Sequence, residues 1–370
     1  MLNAKHDFPK YLKRLLANPL LLGKAAMPKK QLLFSKPLTL ILLLAYLPLA
    51  VQAEWFHYDF EVMGTRASVE LWADSKTDAQ KSFDTVQAEM QRIETMMSSY
   101  IEASELSAIN RHSVDKSLSI NSELYHLIQK SLYFSSKSDG AFDISYASVG
   151  YLYQYRDKVK PADDQVTRLL PAVDWRSIHL GDNNTIIFSK PGMKIDLGGI
   201  AKGYAVDQSI DLLVAADVQS AIITAGGDGR MIGDRGPVPE NDDGTEVNAL
   251  GQRIPWMVGI KHPRKKQDMA LRLPLVDTAI STSGDYERYF FDGERRIHHI
   301  INPKTGYSSS GVVSASVIGP QSVNCDVLST TLFVLGVERG LKLIETLDKY
   351  DAVMIDASGK VHFSTGFAEQ

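Results

Sequence analysis

Residues 196–207 read DLGGIAKGYAVD, where a short predicted strand at 193–197 meets paired glycines and then a predicted helix at 200–215. Glycines let the backbone approach an anion closely, and the first turn of a helix adds the positive end of its dipole. Lys202 adds a point charge that suits a phosphate. The residue order fits neither the GxxxxGK[ST] loop nor the GxGxxG fingerprint. The segment therefore indicates either a phosphate site or a tight turn without a catalytic role.

A second polar pattern lies at the start of an apolar helix, in residues 322–333, which read SVNCDVLSTTLF. Asp326 and Thr330 are four residues apart, so a helix stacks their side chains on one face. A carboxylate and a hydroxyl placed in this way suit a hard cation such as Mg²⁺, which keeps its other positions for water and phosphate. An aspartate that caps the helix, followed by a buried threonine, is the alternative explanation.

Two adjacent histidines follow a third polar stretch, residues 282–288, and lie within residues 295–306. Adjacent side chains on a strand point to opposite faces, so at most one of His298 and His299 enters a given site. A neutral imidazole could accept the proton of a hydroxyl group near neutral pH. The alternative is a surface histidine on a hairpin.

The apolar pattern predicts helices and strands in mixed order along the chain. Ala67, Val69 and Leu71 alternate with Ser, Glu and Trp as in a half-buried strand, and 221–223 and 312–318 are rich in β-branched residues. Helical spacing of apolar residues predicts two helices, one with Phe83, Val86, Met90, Ile93 and Met97 and one with Leu124, Ile128 and Leu132. Regular βαβ alternation is absent, so we expect an α+β fold with mixed, largely antiparallel sheets and packed helices.

The charge of the chain is unevenly distributed. The 370 residues carry a formal net charge of −4, but residues 1–53 hold eight Lys and Arg against one Asp, which leaves 32 basic and 43 acidic side chains in residues 54–370. A body this acidic argues against nucleic acid as a partner, because affinity for nucleic acid depends on neutralising phosphates. The single cysteine, Cys325, excludes an internal disulfide and a thiolate metal cluster. A metal in this protein would therefore have oxygen or imidazole ligands.

The first 53 residues have the pattern of a signal peptide. An apolar run of 16 residues, 38–53, follows three lysines and ends in Val-Gln-Ala, a small-residue cleavage pattern. A transmembrane anchor is the alternative, although spanning needs roughly 20 apolar residues. We expect translation to begin at Met27, cleavage after Ala53, and one exported domain of two lobes over residues 54–370.

An acidic surface loop is predicted at residues 234–255, which read DRGPVPENDDGTEVNALGQRIP. Gly, Pro, Asn and Asp dominate this stretch and no apolar period survives in it. The loop is either an excursion without chemistry or a rim that meets a protein partner.

Taken together and in order, these motifs resemble those of the ApbE family, the FAD:protein FMN transferases. The resemblance covers almost the whole of residues 54–370, and nine motifs in one order are hard to obtain by chance. The motifs are 62–65 (VMGT), Tyr100 with 104–106 (SEL), 139–143 (DGAFD), 196–207, 226–228 (GGD), 256–263, 283–286 (SGDY), 299–306 and 326–331.

The resemblance implies an ApbE-like fold and a Mg²⁺-dependent transfer reaction. FAD would be split at its pyrophosphate, FMN joined through a phosphoester to a Thr or Ser hydroxyl of an acceptor protein, such as an FMN-binding redox subunit, and AMP released. The resemblance also implies a periplasmic location at the outer face of the bacterial inner membrane, with peripheral contact to that membrane. This location agrees with the export signal.

The resemblance also implies roles for particular residues. His299 matches the general base proposed for the family, and Asp285 or solvent is the alternative proton acceptor. The metal would be held by the backbone carbonyl of Gly199 and by the side chains of Asp326 and Thr330. The residues expected to line the FAD site are Met63, Tyr100, Ala141, Phe142, Asp143, Asp196, Lys202 and Ile301.

One position departs from the family pattern, because Asn302 stands where the family commonly has Asp. If that carboxylate orients the histidine or the metal, catalysis here would be weaker, whereas an asparagine that only caps a turn would substitute well. The sequence leaves three functions open. They are transfer of FMN to a protein, hydrolysis of FAD to FMN and AMP, and flavin binding without turnover.

Overall fold

Antiparallel strands make up most of the fold. The computed structural model describes residues 53–235, 254–265 and 267–368, and these residues contain 15 strands. The strands are β1 (Glu54–Val62), β2 (Thr65–Ala73), β3 (Leu118–Ser119), β4 (Ile178–Gly181), β5 (Thr185–Phe188), β6 (Ala221–Ala225), β7 (Asp228–Ile232), β8 (Trp256–Lys261), β9 (Met269–Leu275), β10 (Ala279–Gly284), β11 (Tyr289–Asp292), β12 (Arg295–His298), β13 (Val312–Gly319), β14 (Asp351–Asp356) and β15 (Val361–Phe363). Eight of them form one sheet in the order β1-β2-β6-β7-β10-β13-β14-β15, in which all neighbours are antiparallel.

Eight α-helices accompany these strands in the described part of the chain. They are α1 (Lys76–Met97), α2 (Glu105–His112), α3 (Ser122–Lys137), α4 (Ala147–Gly150), α5 (Asp163–Leu169), α6 (Ala201–Ala215), α7 (Ser322–Leu335) and α8 (Val337–Ile344). Helix α1 packs on β1 and β2, α6 on β6 and β7, and α7 on β10 and β13. The long helices therefore cover one face of the large sheet and bury its apolar residues.

The opposite face of the large sheet is covered by the β8–β9 hairpin. Trp256, Ile260 and Leu273 of the hairpin pack against Met231 and Ile280 of the sheet. Because successive side chains of a strand point to opposite faces, strands that are covered on both faces need apolar residues on both. The large sheet is thus the middle layer of the molecule.

A smaller apolar cluster holds the β11–β12 hairpin in place. Phe290 and Ile297 from the two strands pack with Val149, Val166 and Ile301. Strand β12 ends at His298. The cluster therefore fixes the point at which the chain leaves the hairpin, and His299 is the next residue.

The α+β fold with largely antiparallel sheets is confirmed, and so are most of the predicted elements. The predicted helices are α1, α3 and α6, and the predicted strands are β2, β6 and β13. The five apolar residues that predicted α1 are all buried. Ala67, Val69 and Leu71 of β2 are fully buried as well.

The predicted strand at 193–197 is wrong. These residues join no strand ladder among the described residues. The Asn110 side chain bonds both backbone groups of Ile195, at 2.9 and 2.7 Å, and the Asp196 amide donates to the Ile144 carbonyl at 2.9 Å. Because a side chain and a neighbouring turn satisfy the backbone, the segment does not need a strand partner.

Contacts group Val51–Gln370 as one compact unit, and its division into two lobes stays a prediction. The predicted signal peptide lies outside the described residues except for Ala53, and so do Met27 and residues 236–253 of the predicted loop. At the ends of that loop, the Arg235 amide donates to the Ile254 carbonyl at 2.7 Å, so the two ends lie side by side. Among the helices that the structure describes, none is long and apolar enough to cross a membrane.

Candidate functional site

Helices α6 and α7 pack against each other where both begin. A Cβ atom on Gly203, in the first turn of α6, would collide with the Ser322 carbonyl and would lie 2.8 Å from Asp326 Cβ. The Gly203 amide donates a hydrogen bond to Asp326 Oδ2 at 3.1 Å. Glycine therefore allows the Asp326 carboxylate to reach the positive end of helix α6.

The cap of α7 comes from Asp207 rather than from Asp326. Asp207 Oδ1 and Oδ2 accept the backbone N–H groups of Ser322 and Val323 at 3.0 and 2.9 Å. Gln321 is the N-cap residue, and Asp326 lies one turn inside the helix. The explanation of Asp326 as a helix cap is therefore wrong, and its carboxylate is available for another role.

Lys202 lies between two buried carboxylates. Its Nζ is 2.8 Å from Asp228 Oδ2 and 3.2 Å from Asp326 Oδ2, and it donates to the Gly198 carbonyl at 3.1 Å. Burial alone would lower the pKa of Lys202, but the two carboxylates outweigh it and hold the pKa above its ordinary value. Burial and the charge of Asp228 raise the pKa of Asp326 to about 7, against the opposing effect of Lys202.

Thr330, Gly199 and Phe142 meet beside this ionic cluster. Thr330 Oγ1 is 3.1 Å from Ser283 Oγ, and a Cβ atom on Gly199 would lie 3.5 Å from Thr330 Oγ1 and 3.2 Å from the Phe142 ring. Thr330 is partly exposed, so the explanation of a buried threonine does not hold. The three residues predicted to bind a cation, Asp326, Thr330 and Gly199, thus lie close together in the fold.

These residues fit a Mg²⁺ site that has few protein ligands. Among the described residues, no three His, Cys, Asp or Glu side chains are grouped as a metal site. A cation here would have one carboxylate from Asp326, the Thr330 hydroxyl and the Gly199 carbonyl. Mg²⁺ accepts such a sparse set, because it usually keeps several waters and binds substrate phosphates as well.

His299 lies at the end of the β11–β12 hairpin, within electrostatic range of Lys202 and Arg288. Its backbone amide donates to the Arg288 carbonyl at 3.1 Å. Its Nδ1 atom is buried and has no hydrogen-bond partner among the described residues, although part of the side chain reaches solvent. Burial, together with Arg288, His298 and Lys202, lowers the pKa of His299 to about 3. The imidazole is therefore neutral at pH 7, and it is a weak base as long as no negative charge lies near it.

His298 points into the protein instead. Its Nε2 donates to the Ser309 carbonyl at 2.9 Å, and its ring lies edge-on to Phe333 with 5.6 Å between centroids. Burial lowers its pKa as well. Because neither histidine is an exposed hairpin residue, the surface explanation is wrong. Of the two, only His299 is partly open to solvent, and its role towards a substrate stays a prediction.

Asp285, the alternative proton acceptor, is held in an ion pair. Both of its carboxylate oxygens accept hydrogen bonds from Arg264 at 2.7 Å, and Arg296 lies 3.8 Å away. The bidentate guanidinium of Arg264 occupies both carboxylate oxygens. Asp285 is therefore the weaker candidate.

Asn302 serves as a turn residue. Its Oδ1 accepts the Lys304 amide at 2.9 Å, and its carbonyl accepts the amides of Thr305 and Gly306 at 3.1 and 2.9 Å. Asparagine performs this local capping as well as aspartate does. The geometry favours the explanation in which Asn302 caps a turn.

Asp196 and Tyr100 are two further residues predicted to line the FAD site. Asp196 accepts hydrogen bonds from Ser99 Oγ at 2.8 Å, Tyr151 Oη at 3.1 Å and the Gly198 amide at 2.8 Å. Tyr100 follows Ser99 in the chain, and 85% of the tyrosine is exposed. An exposed aromatic ring can receive a flat heterocycle.

Asp143 has a structural role in addition to any role towards a ligand. Its Oδ1 accepts the Ser145 amide at 2.8 Å, and its Oδ2 accepts the Trp175 amide at 3.0 Å. Burial raises its pKa. Ala141 and Phe142 precede it and are buried, and the Phe142 ring faces Gly199.

Met63 and Ile301 are the most peripheral of the predicted site residues. Met63 turns the chain between β1 and β2 with φ of 54°, and the carbonyl of the next residue, Gly64, accepts a hydrogen bond from Arg288 at 3.3 Å. Arg288 in turn binds the backbone of His299. Ile301 is buried in the smaller apolar cluster, two residues beyond His299. Their contacts with FAD stay predictions.

Four residues of the site were given no role by the sequence. They are Asp207, Asp228, Ser283 and Arg288. Asp228 and Ser283 lie within motifs quoted above. The paired glycines directly before Asp228 could have indicated that this aspartate belongs to a site. Asp207 caps a helix that begins 115 residues later, which no local pattern could show.

A family model and individual relatives give the same result when the chain is compared with known proteins. Residues 63–354 match the model of the ApbE family. An FAD:protein FMN transferase of Treponema pallidum (strain Nichols) is 31% identical over 320 residues, which cover 84% of this chain and 86% of that protein. One of Vibrio cholerae is 29% identical over 306 residues, which cover 79% of this chain and 85% of that protein.

Solved structures show the same similarity. The ApbE protein of Thermotoga maritima superposes with a TM-score of 0.74 at 29% identity, over 85% of this chain and 99% of that one. The flavin transferase ApbE of Vibrio cholerae superposes with a TM-score of 0.71 at 27% identity, over 86% and 99%.

Proposed function

The chain belongs to the ApbE family, and on that ground we propose that it is an FAD:protein FMN transferase. The observation that carries the proposal is the convergence of Asp326, Thr330 and Gly199 beside Lys202, with His299 in electrostatic range. The acceptor would be a Thr or Ser hydroxyl of another protein. Its oxygen would bond to the phosphorus of FMN while the pyrophosphate bond breaks and AMP leaves.

Residues at the start of α6 would bind the diphosphate of FAD. The Lys202 ammonium and the first backbone N–H groups of the helix both present positive charge there. Gly198 and Gly199 carry no side chains that would keep a phosphate away. Asp196, Tyr100 and Phe142 would orient the ring systems of FAD.

Asp326, Thr330 and the Gly199 carbonyl would hold Mg²⁺. When bound, Mg²⁺ supplies positive charge that stabilises the charge developing on the phosphate oxygens. The buried Asp326 carboxylate supports this assignment, because burial and the neighbouring charge of Asp228 disfavour its negative charge, which a bound cation would offset.

His299 would take the proton from the acceptor hydroxyl. A general base of this kind contributes roughly 10² to 10⁴ in rate. The unpaired Nδ1 and the neutral state of the ring support the role. The negative charge of a bound diphosphate would raise the pKa of His299 and make it a better proton acceptor.

We also propose that the protein works in the periplasm, at the outer face of the inner membrane. The apolar run at 38–53, with its small-residue end, supports export and cleavage of a signal peptide. An FMN-binding redox subunit with a Thr or Ser flavinylation motif would be the acceptor. Peripheral contact with the membrane would bring the two together.

The test is incubation of the purified protein with FAD, Mg²⁺ and an acceptor protein that carries the motif. Transfer predicts FMN that stays on the acceptor after denaturation, and none on an acceptor whose motif hydroxyl residue is replaced by alanine. AMP release without an acceptor would instead show a pyrophosphatase. Intact FAD on the protein, with neither product, would show a binding protein and overturn the proposal.

A further inference from the structure

The Lys202 ammonium is shared by two carboxylates, and only one of them belongs to the proposed cation site. Asp326 and Asp228 are both about 3% exposed, and their nearest oxygens lie 3.2 and 2.8 Å from the same nitrogen. The shorter contact is the one to Asp228. Asp228 begins strand β7, directly after Gly226-Gly227, so its position is set by the large sheet.

A divalent cation at Asp326 would compete with this ammonium. Both would sit against the same carboxylate, and like charges a few ångströms apart in a buried site repel strongly. A lysine whose only anionic partner was Asp326 would have to be displaced before a cation could bind. A lysine held by a second carboxylate can stay in place and give up only its longer contact.

We propose that Asp228 is a positioning residue that retains Lys202 when a divalent cation takes over Asp326. This inference rests on the proposed function, because it assumes the cation site of that proposal. With Lys202 held on Asp228, its ammonium remains at the start of α6 and faces the diphosphate of the substrate. Asp228 would thus let the cation and the lysine act at the same time.

The experiment is a double-mutant cycle on Mg²⁺ affinity, measured by calorimetry on the FAD-free protein. The variants are Asp228→Asn, Lys202→Gln and the combination of the two. Asp228→Asn leaves Lys202 bound to Asp326 alone, so we expect the affinity for Mg²⁺ to fall by about tenfold or more. Loss of a negative charge would weaken Mg²⁺ binding by itself, so this single variant does not decide the matter.

The decisive quantity is the coupling between the two substitutions. If Asp228 acts by holding Lys202, the loss caused by Asp228→Asn shrinks by about threefold or more when Lys202 is already Gln. If Asp228 acts only as a negative charge, the loss is the same in both backgrounds, and the inference is overturned. Asp211→Asn is the matched control, because it removes the same charge from an exposed position on α6.

Two further outcomes are distinguishable. Absence of Mg²⁺ binding in the unmodified protein would contradict the metal site of the proposed function, whereas binding with additive substitutions would contradict only the inference about Asp228. Where Asp228→Asn fails to fold, as judged by circular dichroism, Lys202→Gln alone remains informative. Removal of the competing ammonium must then raise the Mg²⁺ affinity, and an unchanged or lower affinity would overturn the inference.

Discussion

The surroundings of His299 determine the charge state of its imidazole ring. Burial and three positively charged or basic neighbours keep the ring neutral, and its Nδ1 has no hydrogen-bond partner among the described residues. Nδ1 of the neighbouring His298 is also unpaired among the described residues, but its Nε2 donates to a backbone carbonyl. The two side chains have different surroundings because the strand ends between them.

Replacement of His299 by alanine should therefore separate binding from chemistry. We expect His299→Ala to bind FAD normally and to transfer FMN about a hundredfold or more slowly, because a general base contributes at least that much. The measurement is the single-turnover rate alongside the dissociation constant of FAD. A variant with an unchanged rate would leave proton removal to solvent or to Asp285.

The lowered pKa of His299 also predicts how stability depends on pH. The folded protein binds the proton of this group with a pKa of about 3, against an ordinary value of 6.5. As the pH falls below 6.5, the unfolded chain takes up a proton that the folded protein does not, so the stability contributed by neutral His299 is lost progressively between these values. We expect the melting temperature of His299→Asn to fall less between pH 7 and pH 4.5 than that of the unmodified protein. Parallel curves for the two proteins would contradict this assignment.

At the scale of elements, the site depends on how closely α6 and α7 approach. Spacing along the sequence correctly placed Asp326 and Thr330 on one face of a helix, because that relation is local. The partners of Asp326 could not be predicted in the same way, because Lys202 and Asp228 come from a helix and a strand about a hundred residues earlier and meet it only through packing. The failed strand at 193–197 has a similar cause, since its backbone is satisfied by the distant Asn110.

A methyl group added between α6 and α7 tests directly how closely the two helices must approach each other. Gly203→Ala places its Cβ against the Ser322 carbonyl, which is backbone and cannot easily move, so we expect a loss of about 1–3 kcal/mol in the free energy of unfolding. Gly340→Ala in α8 is the control, because its nearest neighbours would lie 3.3 Å away and alanine favours a helix by up to about 1 kcal/mol. Urea unfolding of both variants gives the comparison. Equal stabilities would show that the helices can separate at no cost.

At the scale of the whole molecule, the candidate site is assembled from parts that lie far apart in the chain. Gly199 lies before α6, Asp326 and Thr330 lie in α7, and His299 follows the β11–β12 hairpin. The large sheet supports the two helices, and the smaller apolar cluster holds the hairpin. The antiparallel class of that sheet could be predicted from the mixed order of elements. The order of its strands could not, because pairs such as β2 with β6 join segments separated by about 150 residues.

An assembly of this kind predicts that substrate and cation stabilise the folded protein together. Each ligand that binds only the folded state adds stability, about 2.7 kcal/mol at a concentration of 100 Kd. FAD and Mg²⁺ would share the region between Lys202 and Asp326, so the diphosphate would add ligands for the cation and each should bind more tightly in the presence of the other. We therefore expect the shift in melting temperature with both ligands to exceed the sum of the separate shifts.

Two variants test whether Asp326 holds the cation. Asp326→Asn should keep the shift with FAD and lose the additional shift with Mg²⁺, whereas Asp211→Asn should keep both. Additive shifts in the unmodified protein would contradict a shared site for FAD and Mg²⁺. A full Mg²⁺ response in Asp326→Asn would show that the cation binds elsewhere, so that these segments would not converge to hold it.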